Sequence, residues 1–416
     1  MKALKYSIIT LAALILIVIT ACKKELKGPD ENLSSLSSIT LGTANAGTPY
    51  YTLDNTGKYL ILFVRDLNYN NGVVQKINIS GSIPILEKTI TINGTVPISP
   101  DNVVVTDDNQ FIGTFFFFGK PSAGLVQAQL IYKFDINLNI TKIDTIVKSL
   151  GGNFGRTRLV KNGKGKITGV FSNKPTGRKT YLTYKEMDEN LNILDSKTDS
   201  LADYGTNNLS GTNLIKTSDE GYLFCGDNSD IPYVNNIETI LQKRDKNFNL
   251  LWTVKHKATP PNIANPAYLH ELNGRYYVYC ANSIIPQTIE TSTYVLVYDI
   301  NGNLLQNKPM PIDGIVFRGQ TTTEPMRMTD NGEFFILASA KLNTAPNLTR
   351  GIIYRTDANL NVLSSEVYGG KGVVGSLIKI NANRYLHFYL DNNFTPDNNL
   401  PRLVFRYIDA KGKVIE

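Results

Sequence analysis

Five runs of the form Asp-x-Asn-x-Asn place carboxylate and amide oxygens at a spacing that could hold calcium. They begin at Asp135, Asp188, Asp245, Asp299 and Asp357. A calcium loop that starts in this way also needs Gly at position 6 and a bidentate Glu at position 12. Position 6 is aliphatic in all five runs and position 12 is never Glu. We therefore predict turns without metal, in which Asp accepts backbone N–H bonds and Asn takes the left-handed conformation.

The other candidates for chemistry are three histidines, His256, His270 and His387. They fall in different parts of the chain and lack the close pairing of a metal site. We expect His270 and His387 to be satisfied core or edge residues, whereas His256 borders a loop and could face a pocket. The sequence has no Gly-x-Ser-x-Gly elbow, Walker loop or dinucleotide fingerprint. We assign no catalytic residue, no metal ligand and no cofactor.

The Asp-x-Asn-x-Asn turns belong to a repeat of roughly 55 residues. A second turn signal, rich in Asn, Asp and Gly, precedes each of them, as at 107–109 and 330–332. Such residues suit the positive φ of hairpin turns. Short aromatic and β-branched runs such as Phe111–Phe118 and Tyr385–Leu390 flank most turns and predict strands. With a weaker copy at each end, the chain has seven turn pairs.

Each repeat therefore provides four strands, A to D from the inside outwards. Repeated four-stranded units predict an all-β, seven-bladed β-propeller of antiparallel blades. A parallel β-helix is the rival, but its rungs are shorter and need no paired hairpin turns. The predicted propeller domain, 39–416, has blades at approximately 48–90, 100–147, 155–200, 211–256, 265–308, 323–366 and 374–416.

The closure of this ring depends on both ends of the chain. The last repeat ends in a short outer strand, Lys413–Glu416. Leu36–Leu41 lies one loop before the first inner strand, where a preceding blade would have its outer strand. We predict that Leu36–Leu41 pairs in the last blade, beside or in place of Lys413–Glu416, and so removes an open edge.

Residues 1–21 have the features of an export signal: two lysines followed by a short apolar segment, Ser7–Ile19. Thr20-Ala21-Cys22 resembles the cleavage box of bacterial lipoproteins, in which the cysteine becomes the acylated first residue. The resemblance implies lipidation of Cys22, a flexible tether at 22–38 and a membrane partner through the lipid. Lys23 is not the Asp that retains enteric lipoproteins, which implies the outer membrane of the cell envelope. The alternative is an ordinary signal peptide or membrane anchor with a chance cysteine.

Known propeller families differ in their aromatic residues. WD40 repeats have a Trp-Asp in each blade and quinone-dependent dehydrogenases have a Trp in most blades, whereas Trp252 is the single tryptophan. Residues 218–222 (Ser-Asp-Glu-Gly-Tyr) are similar to the Asp-Gly-Gly-Tyr-like turns of uncharacterised propeller lipoproteins of Bacteroidetes. That resemblance is structural and implies no activity. Cys225 and Cys280, one repeat apart on B strands, are predicted to be free buried thiols.

The predicted topology puts the short A–B and C–D turns on one face and the longer B–C and D–A loops on the other. Function in such scaffolds is carried by the loops. Aromatic and arginine side chains suit glycan stacking or a protein hot spot, although they could also only fill the funnel. The possible ligand-binding residues on the loop face are Phe154, Arg156, Tyr204, Tyr233, Phe317 and Arg318.

The sequence therefore predicts an exported, lipid-anchored binding or scaffold module for glycan, peptide or envelope-protein partners. Two alternatives remain open: a propeller hydrolase or lyase with carboxylates and Arg in the funnel, and a purely structural subunit of an envelope complex. The net charge of +7 is dispersed and no basic block is interleaved with aromatics, so a nucleic-acid partner is not predicted.

Overall fold

In the computed structural model, all described residues belong to one compact unit, Asn32–Glu416. They are 37–40, 44–66, 71–93, 98–117, 127–149, 153–154, 157–174, 181–200, 208–229, 237–257, 262–284, 293–310, 314–315, 325–342, 345–368, 374–391 and 402–415. These residues form β-strands and turns without a helix, and so none of them belongs to a helical membrane span.

The strands form seven antiparallel sheets, as the turn pairs predict, and the chain is a seven-bladed β-propeller. After β1 (Ser37–Thr40), blade 1 contains β2 (Ala44–Leu53), β3 (Tyr59–Asp66), β4 (Gly72–Asn78) and β5 (Ile85–Ile92). Blade 2 contains β6 (Ile98–Val105), β7 (Phe111–Phe117), β8 (Gln127–Phe134) and β9 (Ile140–Ser149). Blade 3 contains β10 (Asn153–Phe154), β11 (Arg158–Lys161), β12 (Lys166–Lys174), β13 (Tyr181–Asp188) and β14 (Ile193–Ser200).

The remaining blades follow the same order from the inner to the outer strand. Blade 4 contains β15 (Asn208–Lys216), β16 (Tyr222–Ser229), β17 (Ile237–Arg244) and β18 (Leu250–Lys257). Blade 5 contains β19 (Asn262–Leu272), β20 (Arg275–Ile284), β21 (Thr293–Asp299) and β22 (Leu304–Pro309). Blade 6 contains β23 (Gly314–Ile315), β24 (Met326–Met328), β25 (Phe334–Leu342), β26 (Ala345–Thr356) and β27 (Val362–Tyr368). Blade 7 contains β28 (Val374–Asn381), β29 (Arg384–Asp391), β30 (Arg402–Ile408) and β31 (Val414–Ile415).

The hydrophobic core lies between the blades. Seven clusters of buried apolar side chains each combine residues of two neighbouring blades, so every junction of the ring has its own cluster. The B strands are apolar on both faces because each face packs against a blade; in β7 every residue but the last is buried. Leu60 and Leu62 of blade 1 pack with Phe388 and Leu403 of blade 7, which closes the ring.

The N-terminal strand also takes part in this closure, as predicted. β1 pairs antiparallel with β30, with Ser37 opposite Phe405 and Thr40 opposite Arg402. β31 pairs with the other end of the same edge, with Val414 opposite Ile408. The outer strand of blade 7 therefore consists of two segments placed end to end. β1 takes in Ser37 and Ser38, which the sequence analysis assigned to the tether.

The C–D turns of blades 2 to 7 share one backbone geometry. In blade 2, Leu138 N–H donates to the carbonyl oxygen of Asp135, and Asp135 N–H donates to that of Asn139, at 2.9 and 3.0 Å. The carboxylate of Asp135 accepts from the N–H groups of Asn137 and Asn139 and from the Asn139 amide at 2.8–2.9 Å. This confirms the predicted role of Asp, which recurs at Asp188, Asp245, Asp299 and Asp357.

The prediction that Asn takes the left-handed conformation in these turns is wrong. Leu138, Leu191, Phe248 and Leu360 have φ between 60° and 64°, and Gly302 has φ of 84°. The four large residues are buried against the preceding blade, as Leu138 is in one cluster with Phe63. Burial of the side chain therefore offsets the strain of a left-handed backbone that Asn would adopt more readily.

Candidate functional site

The sequence predicts six ligand-binding residues on the loop face. Of these six residues, the structure describes only Phe154. Phe154 is the second residue of the inner strand β10, where its backbone pairs with Asn173. Arg156, Tyr204, Tyr233, Phe317 and Arg318 lie outside the described residues, as does the lipidation residue Cys22. Blade 6 has its inner strand segment β23 at 314–315, which is separated from Phe317 and Arg318 in the chain by Val316 alone.

Blades 3 and 6 differ from the other blades in the inner strand. Within the part of the chain that the structure describes, both have two inner segments, β10 with β11 and β23 with β24, whereas the remaining blades have one inner strand each. In the sequence, Arg156 falls between β10 and β11, and Phe317 and Arg318 fall between β23 and β24; these three residues lie outside the described part of the chain. Blades three places apart in a seven-bladed ring are separated by about 150° around the axis. The inner segments β10 and β23 therefore lie on nearly opposite sides of the axis.

A buried ion pair lies beside the interruption in blade 3. The Arg158 guanidinium lies 3.4 Å from the Asp101 carboxylate and donates at 2.9 Å to the carbonyl oxygens of Asp101 and Thr157. Thr157 N–H also donates to the Asp101 carboxylate. The guanidinium lies 5.4 Å from the centre of the Tyr50 ring in blade 1. This cluster therefore connects the inner strands of blades 1, 2 and 3.

Sequence reasoning missed this cluster for a physical reason. Asp101 and Arg158 belong to different repeats and are 57 residues apart. No local pattern distinguishes them from exposed charges. The one available signal is that both lie on predicted inner strands, where a charge must be paired or solvated.

His387 and Arg406 form a second buried polar group, in blade 7. The Arg406 Nε–H donates to His387 Nδ1 at 2.8 Å, and the His387 and Tyr368 rings meet edge to face at 4.2 Å. Burial, and then the charge of Arg406, lower the pKa of His387 well below its usual value. His387 is therefore a neutral core residue.

The prediction that the two core histidines are fully satisfied is wrong. The Nε2 atoms of His387 and His270 are buried without a hydrogen-bond partner among the described residues. The ring of His270 packs edge to face against Phe334. His256 is half-buried on β18, and burial lowers its pKa. The three rings lie in separate blades and form no shared site.

The described carboxylates whose pKa values are clearly shifted lie in the turns. Where the pKa of one departs clearly from its ordinary value, it is lowered, as at Asp135, Asp188 and Asp245. Burial alone would raise these pKa values, but the hydrogen bonds from the turn Asn residues outweigh it. A general acid needs the opposite shift. The described part of the chain also has no group of three or more His, Cys, Asp or Glu residues that could hold a metal.

The two described cysteines are core residues. Cys225 and Cys280 are free and buried, as predicted. Burial, and then the nearby Cys225, raise the pKa of Cys280. A buried thiol with a raised pKa is a poor nucleophile, so these residues contribute packing between blades 4 and 5.

Comparison with known proteins gives the fold alone. No protein-family model and no curated protein matches the chain. An ulvan lyase of a new polysaccharide lyase family is similar over 90% of this chain and 95% of its own, with a TM-score of 0.54 and 9% identity. A protein of unknown function from Dyadobacter fermentans has a TM-score of 0.49 and 9% identity over 88% of this chain and 99% of its own. An α-L-arabinanase from Penicillium chrysogenum has a TM-score of 0.49 and 10% identity, over 79% of this chain and 99% of its own.

Proposed function

We propose that this protein is a lipid-anchored, exported β-propeller that binds a glycan, peptide or envelope-protein partner on its loop face. The observation that supports this function is the pair of interrupted inner strands in blades 3 and 6. Each interruption coincides with a Phe and an Arg in the sequence, Phe154 with Arg156 and Phe317 with Arg318. Aromatic and guanidinium groups that neighbour the inner strands in the sequence match the chemistry of glycan or protein recognition.

The charge distribution of the described scaffold favours a binder over an enzyme. Its buried ions, such as Asp101 and Arg158, are bound to each other and to backbone groups between blades. Its acids with clearly shifted pKa values are turn residues. We therefore assign partner binding to the loop residues and assign the buried ion pairs and turn carboxylates to the stability of the blades.

A binding screen with matched variants tests the loop-face assignment. Purified protein is applied to a glycan array and a peptide array, and hits are measured by titration. Arg156→Ala and Arg318→Ala are each expected to weaken a true hit at least about ten-fold, the loss of one anchoring contact. Lys246→Ala, an equal charge change on an exposed C–D turn at the other face, is the control. Equal effects of all three variants would contradict the assignment.

The anchor is tested separately on Cys22. Mass spectrometry of the mature protein is expected to find an acyl adduct on Cys22, and Cys22→Ser is expected to move the protein to soluble fractions or leave it uncleaved. An unmodified wild-type Cys22 with unchanged membrane fractionation would refute the lipoprotein assignment.

A further inference from the structure

The outer strands carry exposed aliphatic side chains where the C–D turns end. Each blade contributes two, and between 37% and 63% of each side chain is exposed. We call this set the aliphatic rim. It consists of Ile83, Ile85, Ile140, Ile143, Ile193, Leu194, Leu250, Leu251, Leu304, Leu305, Val362, Leu363, Val414 and Ile415.

The rim is a ring and not a set of unrelated surface residues. In blades 3 to 7 the pair is formed by the first two residues of the strand after the turn, β14, β18, β22, β27 and β31. Because strand rise is about 3.3 Å per residue, both residues lie within about 7 Å of the turn end. In blade 1, Ile85 begins β5 and Ile83 lies two residues before it; in blade 2, Ile140 begins β9 and Ile143 lies three residues further along. Each blade therefore has at least one rim residue at the turn end of its outer strand, on the turn face. Exposed aliphatic pairs that recur in every blade, rather than singly, indicate an interaction surface.

The tether meets the ring beside this rim. Ile415 pairs with Tyr407, and Ser37 pairs with Phe405 two residues further along the same edge. The chain therefore enters β1 next to the rim pair of blade 7. Lys23–Leu36 connect Cys22 to that point and reach at most about 50 Å. An acyl chain on Cys22 would hold the rim within this distance of a bilayer.

Lysines accompany the aliphatic residues on the outer strands. Lys88, Lys142, Lys197 and Lys308 each donate to the C–D turn of the following blade, at 2.5–3.1 Å. These lysines compensate the charge of the turn carboxylates, so that the turn face does not repel phosphate headgroups. The half-exposed aliphatic groups suit the boundary between headgroups and acyl chains. A flat lipid surface can contact all seven pairs at once, whereas a compact protein partner would cover one sector.

We infer that the aliphatic rim rests on the phospholipid surface that holds the anchor, so that the turn face points to the membrane and the loop face points away from it. This inference rests on the proposed lipid anchor. It deepens the proposed function, because it leaves the loop face free for a partner in solution.

The chain contains its own reporter of this contact. Trp252, the single tryptophan, directly follows the rim residues Leu250 and Leu251 and donates its indole N–H to the Ile300 carbonyl at 3.1 Å. The acylated full-length protein is reconstituted in vesicles of phosphatidylethanolamine and phosphatidylglycerol. A fraction of the lipid carries a quencher at the headgroup–acyl boundary. We expect roughly a two-fold fall in Trp252 emission, because the apolar face of an interfacial protein lies at that depth.

Matched variants separate rim contact from tethering. Gln at both rim positions of blades 3, 5 and 6 is expected to abolish most of the quenching while the protein still floats with the vesicles. Gln at Asp195 and Ser196, two exposed positions further along β14, is the control and should leave the quenching unchanged. Both changes are on the surface, and unchanged unfolding midpoints confirm that the variants fold.

The outcomes distinguish the anchor from the rim. Protein with the Cys22 acyl adduct that floats but shows no Trp252 quenching overturns the rim contact alone. Absence of the adduct refutes the anchor and removes the basis of both. A third outcome is a change in Trp252 emission that depends on protein concentration in the absence of lipid. It would show that the rim binds a second copy of the chain, and would also overturn the inference.

Discussion

Charged side chains inside this propeller bind across the junctions between blades. Asp101 and Arg158 join blades 2 and 3, and Asp199 and Arg244 join blades 3 and 4. Arg244 also donates to the carbonyl oxygen of Phe248 at 2.8 Å and lies 4.4 Å from the centre of the Tyr184 ring. Loss of one partner leaves an uncompensated buried charge, which typically costs about 3–5 kcal/mol. These residues therefore set the alignment of neighbouring blades.

His387 gives a prediction for the dependence of stability on pH. Its pKa is lowered in the folded state, so below about pH 6.5 the unfolded chain binds a proton that the folded chain does not. The stability due to neutral His387 is present above that pH and is lost as the pH falls, by about 1.4 kcal/mol per pH unit. His387→Gln, which keeps an acceptor for Arg406, is expected to flatten the fall in the unfolding midpoint between pH 6.5 and 5.

The half-buried His256 provides the control for this measurement. His256→Gln removes a histidine whose environment is partly exposed, so its effect on the pH slope should be smaller. Identical slopes for wild type and His387→Gln would show that His387 does not resist protonation in the folded protein.

At the scale of the element, the C–D turn couples one blade to the previous one. The left-handed residue of the turn is buried in the junction, as Leu191 is with Ile112 and Ile131 of blade 2. In blade 5 the position is Gly302, and an added Cβ would lie 3.0 Å from Val254 and 3.1 Å from Trp252. These side chains of blade 4 occupy the space that Leu or Phe fills elsewhere. The junction at a C–D turn is therefore filled either by the turn residue itself or, at Gly302, by side chains of the preceding blade.

Two glycine substitutions, one in the C–D turn of blade 3 and one in the A–B turn of blade 4, separate backbone strain from side-chain burial. Leu191 and Glu220 both have φ of 64°, but Leu191 is buried and Glu220 is exposed. Leu191→Gly is expected to lower the free energy of unfolding by about 2–4 kcal/mol, because the lost core contacts exceed the relieved strain. Glu220→Gly should leave it unchanged or raise it by up to about 1 kcal/mol. Chemical denaturation measures both, and a stabilising Leu191→Gly would contradict the argument.

At the scale of the molecule, the two ends of the chain hold the ring closed. β1 and β31 share the outer edge of β30, and the Tyr407 hydroxyl donates to the carbonyl oxygen of Ile79 in blade 1 at 2.9 Å. The same junction contains the apolar cluster between blades 7 and 1. The segment that precedes β1 in the sequence, with the proposed lipidation residue Cys22, therefore leads directly into a strand that helps to close the propeller.

Paired deletions test the contribution of β1 to this closure. Removal of 34–42 is expected to lower the thermal unfolding midpoint clearly, since it exposes the edge of β30 and removes its antiparallel pairing with β1. Removal of 23–33 shortens the tether without touching the strand and should leave the midpoint unchanged. Equal tolerance of both deletions would show that β31 closes blade 7 alone.

The sequence by itself determined the all-β class, the seven blades, the Asp-capped turns and the pairing of the N-terminal strand with the last blade. These features depend on local chemistry, since turn residues and strand composition recur in every repeat and reveal the period. Cys225 and Cys280 were predictable as core thiols because they lie in apolar strands.

Only the tertiary structure decided what lies between and around the blades. Asp101 and Arg158 meet from neighbouring repeats, and His387 is enclosed by Arg406 and Tyr368. The turn Leu, and not the Asn beside it, takes the left-handed backbone because a neighbouring blade buries it. Ile193 and Leu194 are exposed although they are as apolar as core residues, because the outermost strand of a blade has no further strand to cover it. Each of these outcomes depends on contacts between different repeats or on their absence. A local sequence pattern does not show which residues of two repeats come into contact.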